Sequence, residues 1–245
     1  MLNTERQVDV TTNNLANVNT TGFKKDMLTA MAAPNIATVR EPAYPRIPSS
    51  PLGFAAPIGL QNTGVMAAEV WTDFEPGPIV QTGRTLDVAI LNDGFFTVED
   101  AAGNTFYTRN GSFTIDSNGN LATQDGLTVL GDNGAISIAG AGKVEISQAG
   151  AVLADGAAVD NLRISFFSDP HSLRKVGHTR FTGANPDGIG TTSVNSGVLE
   201  QSNASVIDSM VKLIEGYRLY EADSRVLQTL DATLERAAND IGSMR

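Results

Sequence analysis

The stretch SVIDSMVKLIEGYRLYEADSRVLQTLDATLERAANDIG, residues 205–242, constrains this chain more than any other part of it. Apolar or aromatic side chains at Val206, Met210, Leu213, Tyr217 and Tyr220, and again at Leu227, Leu230, Leu234, Ala238 and Ile241, fall on one stripe of an α-helix. Ser205 followed by Asp208 reads as a capped start, because the hydroxyl can accept an orphan amide and the carboxylate favours the positive end of the helix dipole. Gly242 is the natural stop. At about 1.5 Å per residue the helix would be ~50 Å long, more than the width of a small domain. One small body cannot bury such a stripe, so the helix needs a partner helix, from the other end of the chain or from other chains.

The remaining composition narrows the function. A net charge of −10 and a pI near 4.6 argue against a nucleic-acid or anionic-membrane surface, which needs clustered Lys and Arg. With no cysteine, disulfides, thiol chemistry and thiolate metal sites are excluded. Polar Asn3, Thr4, Glu5, Arg6 and Gln7 stand where a secretory signal would have its apolar core, and no run of apolar residues is long enough to span a bilayer. The expectation is a protein with neither a cleaved signal nor a membrane span.

Taken in order, the chain divides into five parts. Residues 1–33 carry a weaker helix, with Leu2, Val8, Leu15 and Val18 among Asn and Thr that compete for backbone hydrogen bonds, ending at the turn around Gly22. A helix so short needs a partner to persist in water. In residues 34–78 lie eight of the ten prolines, at 34, 42, 45, 48, 51, 57, 76 and 78, which disfavours a helix or a central strand and predicts an extended arm. Tyr44, Ile47, Leu52, Phe54, Ile58, Leu60, Trp71 and Phe74 make that arm too apolar for a solvated tether, so it should lie along its own body or a neighbour. Residues 79–182 alternate short β-prone runs (LDVAIL, FFTVED, TFYTR, SFTID, NLATQ, LTVLG, KVEIS, AVLA, LRISFF) with Asn-Gly and Asp-Gly turn signals. That pattern predicts an antiparallel β-sandwich or irregular barrel. Residues 183–204, rich in Gly, Asn and Ser, read as a return linker, and 205–245 hold the long helix. The fold class is mainly β with α-helical termini.

Motifs for chemistry are weak. Asp116, Asn118 and Asn120 invite a calcium-loop reading, but the glycine falls at the wrong place and Leu127 stands where the loop needs glutamate. GAGK at 140–143 lacks the upstream glycine of a phosphate loop. His171 and His178 have no ligand-spaced companions. No catalytic, metal or cofactor residue is therefore assigned, and the expected role is not enzymatic. Two rivals from other classes stay open: a monomeric glycan- or peptidoglycan-binding β module using a Tyr107 and Arg109 face, and a hydrolase drawing on Asp87, Asp93, Asp116 and His171.

Four strings point further: NNLANVNTTGFKKD at 13–26, TDFEPGPIVQTGRTLDVAILNDGFFTVED at 72–100, YTRNGSFTIDSNGNLATQDGLTVLG at 107–131 and SGVLEQSNASVIDSMVKLIEGYRLYEADSRVLQTLD at 196–231. Together, over nearly the whole chain, they resemble the axial proteins of the bacterial flagellum, which comprise rod, hook and hook-associated proteins. The modest length, VLGDNGAISI at 129–138 and LRISFFSDPHSLRKVGHTRF at 162–181 look most like a proximal-rod subunit, with the distal rod and then the hook as alternatives.

The resemblance implies a structural subunit of the basal-body rod that polymerises by heterologous contacts with its own copies and with neighbouring rod and hook proteins. It implies export through the flagellar type III apparatus, a place in the periplasmic rod, and no cofactor, nucleic acid, membrane insertion or small-molecule substrate. The terminal helices would pair as a coiled coil in the inner tube, beneath an outer β layer. Leu15, Val18, Val206, Met210, Leu213, Tyr217, Tyr220, Leu227, Leu230 and Leu234 would form the assembly seam. Asn13, Asn14, Asn17 and Asn19 would make polar contacts between subunits, against the plainer reading that they cap and turn locally. Family members begin several helical turns earlier, so either Met1 is a truncated start or neighbouring subunits cover Leu213 through Ile241.

Overall fold

A computed structural model describes residues 2–32, 36–39, 57–61, 65–183, 185–190 and 193–242. Two helices bracket the chain: α1 at Leu2–Ala16 and α2 at Val206–Gly242. The Ser205 hydroxyl accepts from the Asp208 amide at 3.3 Å, so the expected cap is formed. Along α2, Asp208–Lys212 and Glu221–Arg225 pair one turn apart on the exposed side, acid first, as the helix dipole prefers. In α1 the hydroxyls of Thr11 and Thr12 donate back to the carbonyls of Gln7 and Val8, which lets threonines sit inside a helix without unpaired donors.

The two helices pack against each other and run antiparallel, because the end of α1 and the start of α2 are both rooted at the β body. Val8 meets α2 at Gly216, where an added Cβ would lie 2.7 Å from a Val8 methyl carbon. Small residues mark the contact: Thr4 and Thr11 are buried on α1, and Ser209 and Gly216 on α2. From Arg225 to Asn239 every residue of α2 is exposed. Helix pairing within the chain is thus confined to the first half of α2. The fully buried residues of this contact are small ones, which by themselves do not establish the expected coiled-coil pairing.

The body is antiparallel. Its main sheet has the strand order Arg174–Val176, Arg180–Thr182, Thr105–Thr108, Phe95–Glu99, Thr128–Gly131, Leu121–Thr123, Phe113–Ile115. Phe95–Glu99 shares one edge between two partners: its C-terminal half pairs with Thr128–Gly131 and its N-terminal half with Ile164–Phe166. The sheet runs as an open path, so the irregular barrel is not realised as a closed one; Phe113–Ile115 and Arg174–Val176 end it without meeting. A three-stranded sheet, Val144–Ile146, Ala151–Ala154 and Ala157–Asn161, contributes Val144, Ile146 and Val152 to the same core as Phe96, Val98, Phe113, Val129, Leu162 and Ile164. A second, aromatic core gathers Phe95, Tyr107, Leu173 and Phe181 with Phe74 and Phe167.

All nine β-prone runs contain strands. At Asp155-Gly156 both residues have positive φ, 51° and 86°, as a tight hairpin demands. Asn110-Gly111 is different: the strands on either side of it do not pair with each other, and Gly111 is there because a Cβ would lie 1.7 Å from the Val88 carbonyl oxygen. The proposed return linker carries strands too: Val194–Ser196 pairs with Val88–Ile90, and Val198–Glu200 with Ile79–Gln81. Of the arm, Ile36–Val39 pairs with Pro57–Gln61, and Val65–Thr72 pairs with Asp26–Ala32 from the N-terminal segment, so the described residues form a two-stranded ribbon. Tyr44, Ile47, Leu52 and Phe54 lie outside the described residues.

Candidate assembly surface and its root

Where the helices meet the body, three distant chain segments converge on Glu200. Its Oε1 accepts from Lys24 Nζ at 2.6 Å and from the Gly77 amide at 3.0 Å, while Lys24 also donates to the Glu75 carbonyl at 2.7 Å. Glu200 Oε2 faces Arg109 NH1 at 3.6 Å, and that guanidinium donates to the Asn92 carbonyl and sits 5.2 Å above the Phe95 ring. Burial lowers the Lys24 pKa, against the pull of Glu200, and likewise lowers that of Arg109. Two buried cations on one carboxylate hold together only because the backbone supplies further hydrogen bonds.

Backbone packs against backbone around this cluster. Gly22, at φ +67°, donates its amide to the Glu200 carbonyl at 2.8 Å, and a Cβ there would lie 2.4 Å from the Asn110 amide nitrogen. Gly77 has the same constraint, with the Gln201 carbonyl 2.0 Å from where its Cβ would be. Asn203 staples the remaining strands: Oδ1 accepts from the Lys25 amide, and Nδ2 donates to the Asp73 and Glu75 carbonyls. Lys175 closes the far side, donating to Asp26 Oδ2 at 2.9 Å and to the Lys24 carbonyl, 3.9 Å from the centre of the Phe23 ring. The helices are therefore anchored rigidly to the body at one end.

Above that root stands the candidate surface. Of the residues assigned to a seam, Leu213 is half-buried beside the α1 contact, and Leu15 and Val18 are half-buried. Val206, Met210, Tyr217, Tyr220, Leu227, Leu230 and Leu234 are all exposed, Leu234 at 67%. Sequence reasoning missed Ser209 and Gly216, because an apolar-stripe reading passes over small residues. It also missed a second exposed face on the first half of α2, formed by Ile207 (77% exposed), Val211 and Ile214. The four asparagines divide. Asn14 makes a two-way bond with the Asp26 backbone, and Asn17 donates to the Asn13 carbonyl. The Asn13 and Asn19 side chains lie on exposed residues.

The rival sites are not assembled. Tyr107 and Arg109 are each 6% exposed, the ring packed 4.8 Å from Phe167, so the glycan-binding face proposed for them does not exist. The hydrolase set is scattered: Asp87 is buried beside Arg84, Asp116 caps its own turn by accepting from the Asn118 and Asn120 amides, and His171 stands in a short turn against Trp71.

Comparison with known proteins agrees with this layout. Three family models match: a flagella basal body rod protein model at residues 1–24, a flagellar hook protein FlgE/F/G D1 domain at 89–154, and a flagellar basal body rod FlgEFG protein C-terminal model at 195–240. The flagellar basal-body rod protein FlgG of Bacillus subtilis is 33% identical over 266 residues, covering 98% of this chain and 95% of its own. The chain belongs to the flagellar basal-body rod protein family. FlgF of Caulobacter vibrioides is also 33% identical, covering 95% of this chain and 90% of its own, and FlgG of Borreliella burgdorferi is 33% identical, covering 95% and 92%. The matched C-terminal region contains Glu200 and most of α2, and the N-terminal one contains α1 and Lys24, so both family signatures meet at the buried root. Among the described residues no helix is long and apolar enough to cross a membrane.

Proposed function

We propose that this rod-family subunit polymerises through α2 with copies of itself and with neighbouring rod and hook proteins. One observation carries the reading: α2 holds Val226, Leu227, Leu230 and Leu234 in water beyond the reach of α1, on a helix whose root is fixed to the body. Contiguous apolar surface of this extent marks an interaction site. Leu15, Val18, Val206, Met210, Leu213, Tyr217 and Tyr220 extend the seam towards the root, with Ile207, Val211 and Ile214 as a second face for another neighbour. Asn13 and Asn19 are the asparagines placed to bond across subunits. The role is structural, with the β body as the outer layer. Export through the flagellar type III apparatus and a periplasmic location accompany this reading, and the segments at 129–138 and 162–181 support a proximal position in the rod.

The test is sedimentation of the purified subunit under polymerising conditions, with Leu230→Asp/Leu234→Asp alongside. Both positions are exposed in the single chain, so the variant should keep the wild-type unfolding transition and remain unpolymerised. Polymerisation at wild-type concentration would remove the distal half of α2 from the interface.

A further inference from the structure

At the root of the ribbon lies a cavity of 440 Å³ with aromatic walls. Trp71 and His171 stand edge to face at 5.4 Å and 74°, and Phe74 and His171 at 6.0 Å and 61°, so the three rings meet in one aromatic wall. Phe74 is braced from behind by Phe95 and Phe181, at 5.5 and 5.1 Å, which holds the wall in place. In the floor, Asp26 is already engaged by Thr72 and Lys175. At the rim Glu69 and Arg174 are exposed and of opposite charge.

An aromatic wall with a charged rim is the chemistry that receives a polyproline II segment, a conformation that repeats every three residues. The sequence offers prolines at that interval outside the described residues: Pro42, Pro45, Pro48 and Pro51 fall three apart in PAYPRIPSSP. In a polyproline II conformation they would share one edge. Arg40, Glu41 and Arg46 give the tract charges of both signs, Arg46 inside the proline repeat complementing Glu69 and Glu41 at its start complementing Arg174. Along the chain the tract connects Ile36–Val39 to Pro57–Gln61, and in the chain order the ladder from Asp26↔Thr72 to Ala32↔Val65 comes between those two strands and the cavity residues. That ladder alone is ~20 Å long at about 3.3 Å per residue.

We propose that the cavity walled by Trp71, Phe74 and His171 is a docking site for the proline tract at residues 42–51 of a second copy. The contact rests on the polymerising role above and adds to it a link between outer parts of neighbouring subunits, remote from α2.

Trp71 is the one tryptophan of the chain, so its emission reports on the site directly. A synthetic peptide of residues 40–53 titrated into the full-length Leu230→Asp/Leu234→Asp subunit should shift that emission saturably. A peptide with Pro45→Ala and Pro48→Ala, and one with Arg46→Glu, should each bind about tenfold or more weakly. His171→Ala in the subunit should weaken the native peptide to a similar degree while the circular dichroism of the body is unchanged. No shift, or the same shift with all three peptides, would overturn the docking site. Because the subunit used carries the α2 substitutions, a failure here is separate from a failure of α2-driven polymerisation, which sedimentation reads independently.

Discussion

Lys24 Nζ and Glu200 Oε1 lie 2.6 Å apart with side chains 1% and 3% exposed, although 176 residues separate them along the chain. The pair joins the segment that follows α1 to the segment that precedes α2, and Arg109 ties both to the body. Glu200→Gln leaves two buried cations without their anion, whereas Lys24→Met leaves Glu200 facing Arg109 and the Gly77 amide. Breaking a buried pair costs about 3–5 kcal/mol, so Glu200→Gln should fall at the upper end and Lys24→Met below it. The triple replacement Lys24→Met/Arg109→Met/Glu200→Leu should be less costly than Glu200→Gln but stay below wild type, since it removes the buried charges yet leaves the Gly77 amide and the Asn92 carbonyl without these side-chain partners. Chemical denaturation of the three variants measures the order, and a Lys24→Met costlier than Glu200→Gln would show that the carboxylate is not the hub.

Acid should loosen the same junction from its edge. Burial would raise the Asp73 pKa, but the Glu75 amide at 2.9 Å and the Lys25 ammonium at 3.1 Å outweigh it, and the net shift is downward from 3.8. Folding therefore favours the ionised form. Its contribution is complete above the unfolded value of 3.8 and is lost as pH falls through the lower folded value. Asp73→Asn should be less stable than wild type at pH 6, with the gap closing towards pH 2. Denaturation midpoints of the two proteins across that range check it; a constant gap would mean that ionisation of Asp73 contributes nothing.

Much of this was legible because it is local. The stripe from Val206 to Ile241, the Ser205 cap and the turns at Asp155-Gly156 and Asp125-Gly126 each depend on residues a few positions apart. What was not legible is non-local. Lys24 and Glu200 both lie inside the quoted family strings, yet nothing in spacing shows that they meet. The strands at 194–200 were hidden by Gly, Asn and Ser, since their pairing comes from Val88–Ile90 and Ile79–Gln81 rather than from their own propensity. Tyr107 and Arg109 were misjudged as a face for the same reason: Phe167 and Glu200 cover them from far along the chain.

Gly111 separates two reasons for a glycine. Its Cβ would lie 1.7 Å from a backbone oxygen, which cannot move without shifting the Val88–Ile90 strand. Gly126, at φ +80°, has open space around its Cβ position and only the conformational constraint. Gly126→Ala should cost about 1–2 kcal/mol, the price of a left-handed residue, and Gly111→Ala more than about 4 kcal/mol. Thermal unfolding of both variants tests the ranking, and equal losses would refute the close approach at Gly111.

The contact between Val8 and Gly216 sets how α1 is held. α1 has 15 residues, near the length below which a helix is marginal alone, and its buried side toward α2 offers mostly Thr4 and Thr11. Close approach must then supply through dispersion what apolar area does not. Gly216→Leu should push α1 away, because even a Cβ would stand 2.7 Å from the Val8 methyl. Amides of residues 8–15 should then exchange faster by about tenfold or more, with those of Phe95–Glu99 unchanged, since α1 opens as a unit separate from the body. The α2 helix itself should be no less helical, as leucine is the better helix former by roughly 0.8 kcal/mol. Unchanged protection in α1 would mean that its hold comes from Asn14 and the ribbon at Asp26 rather than from α2.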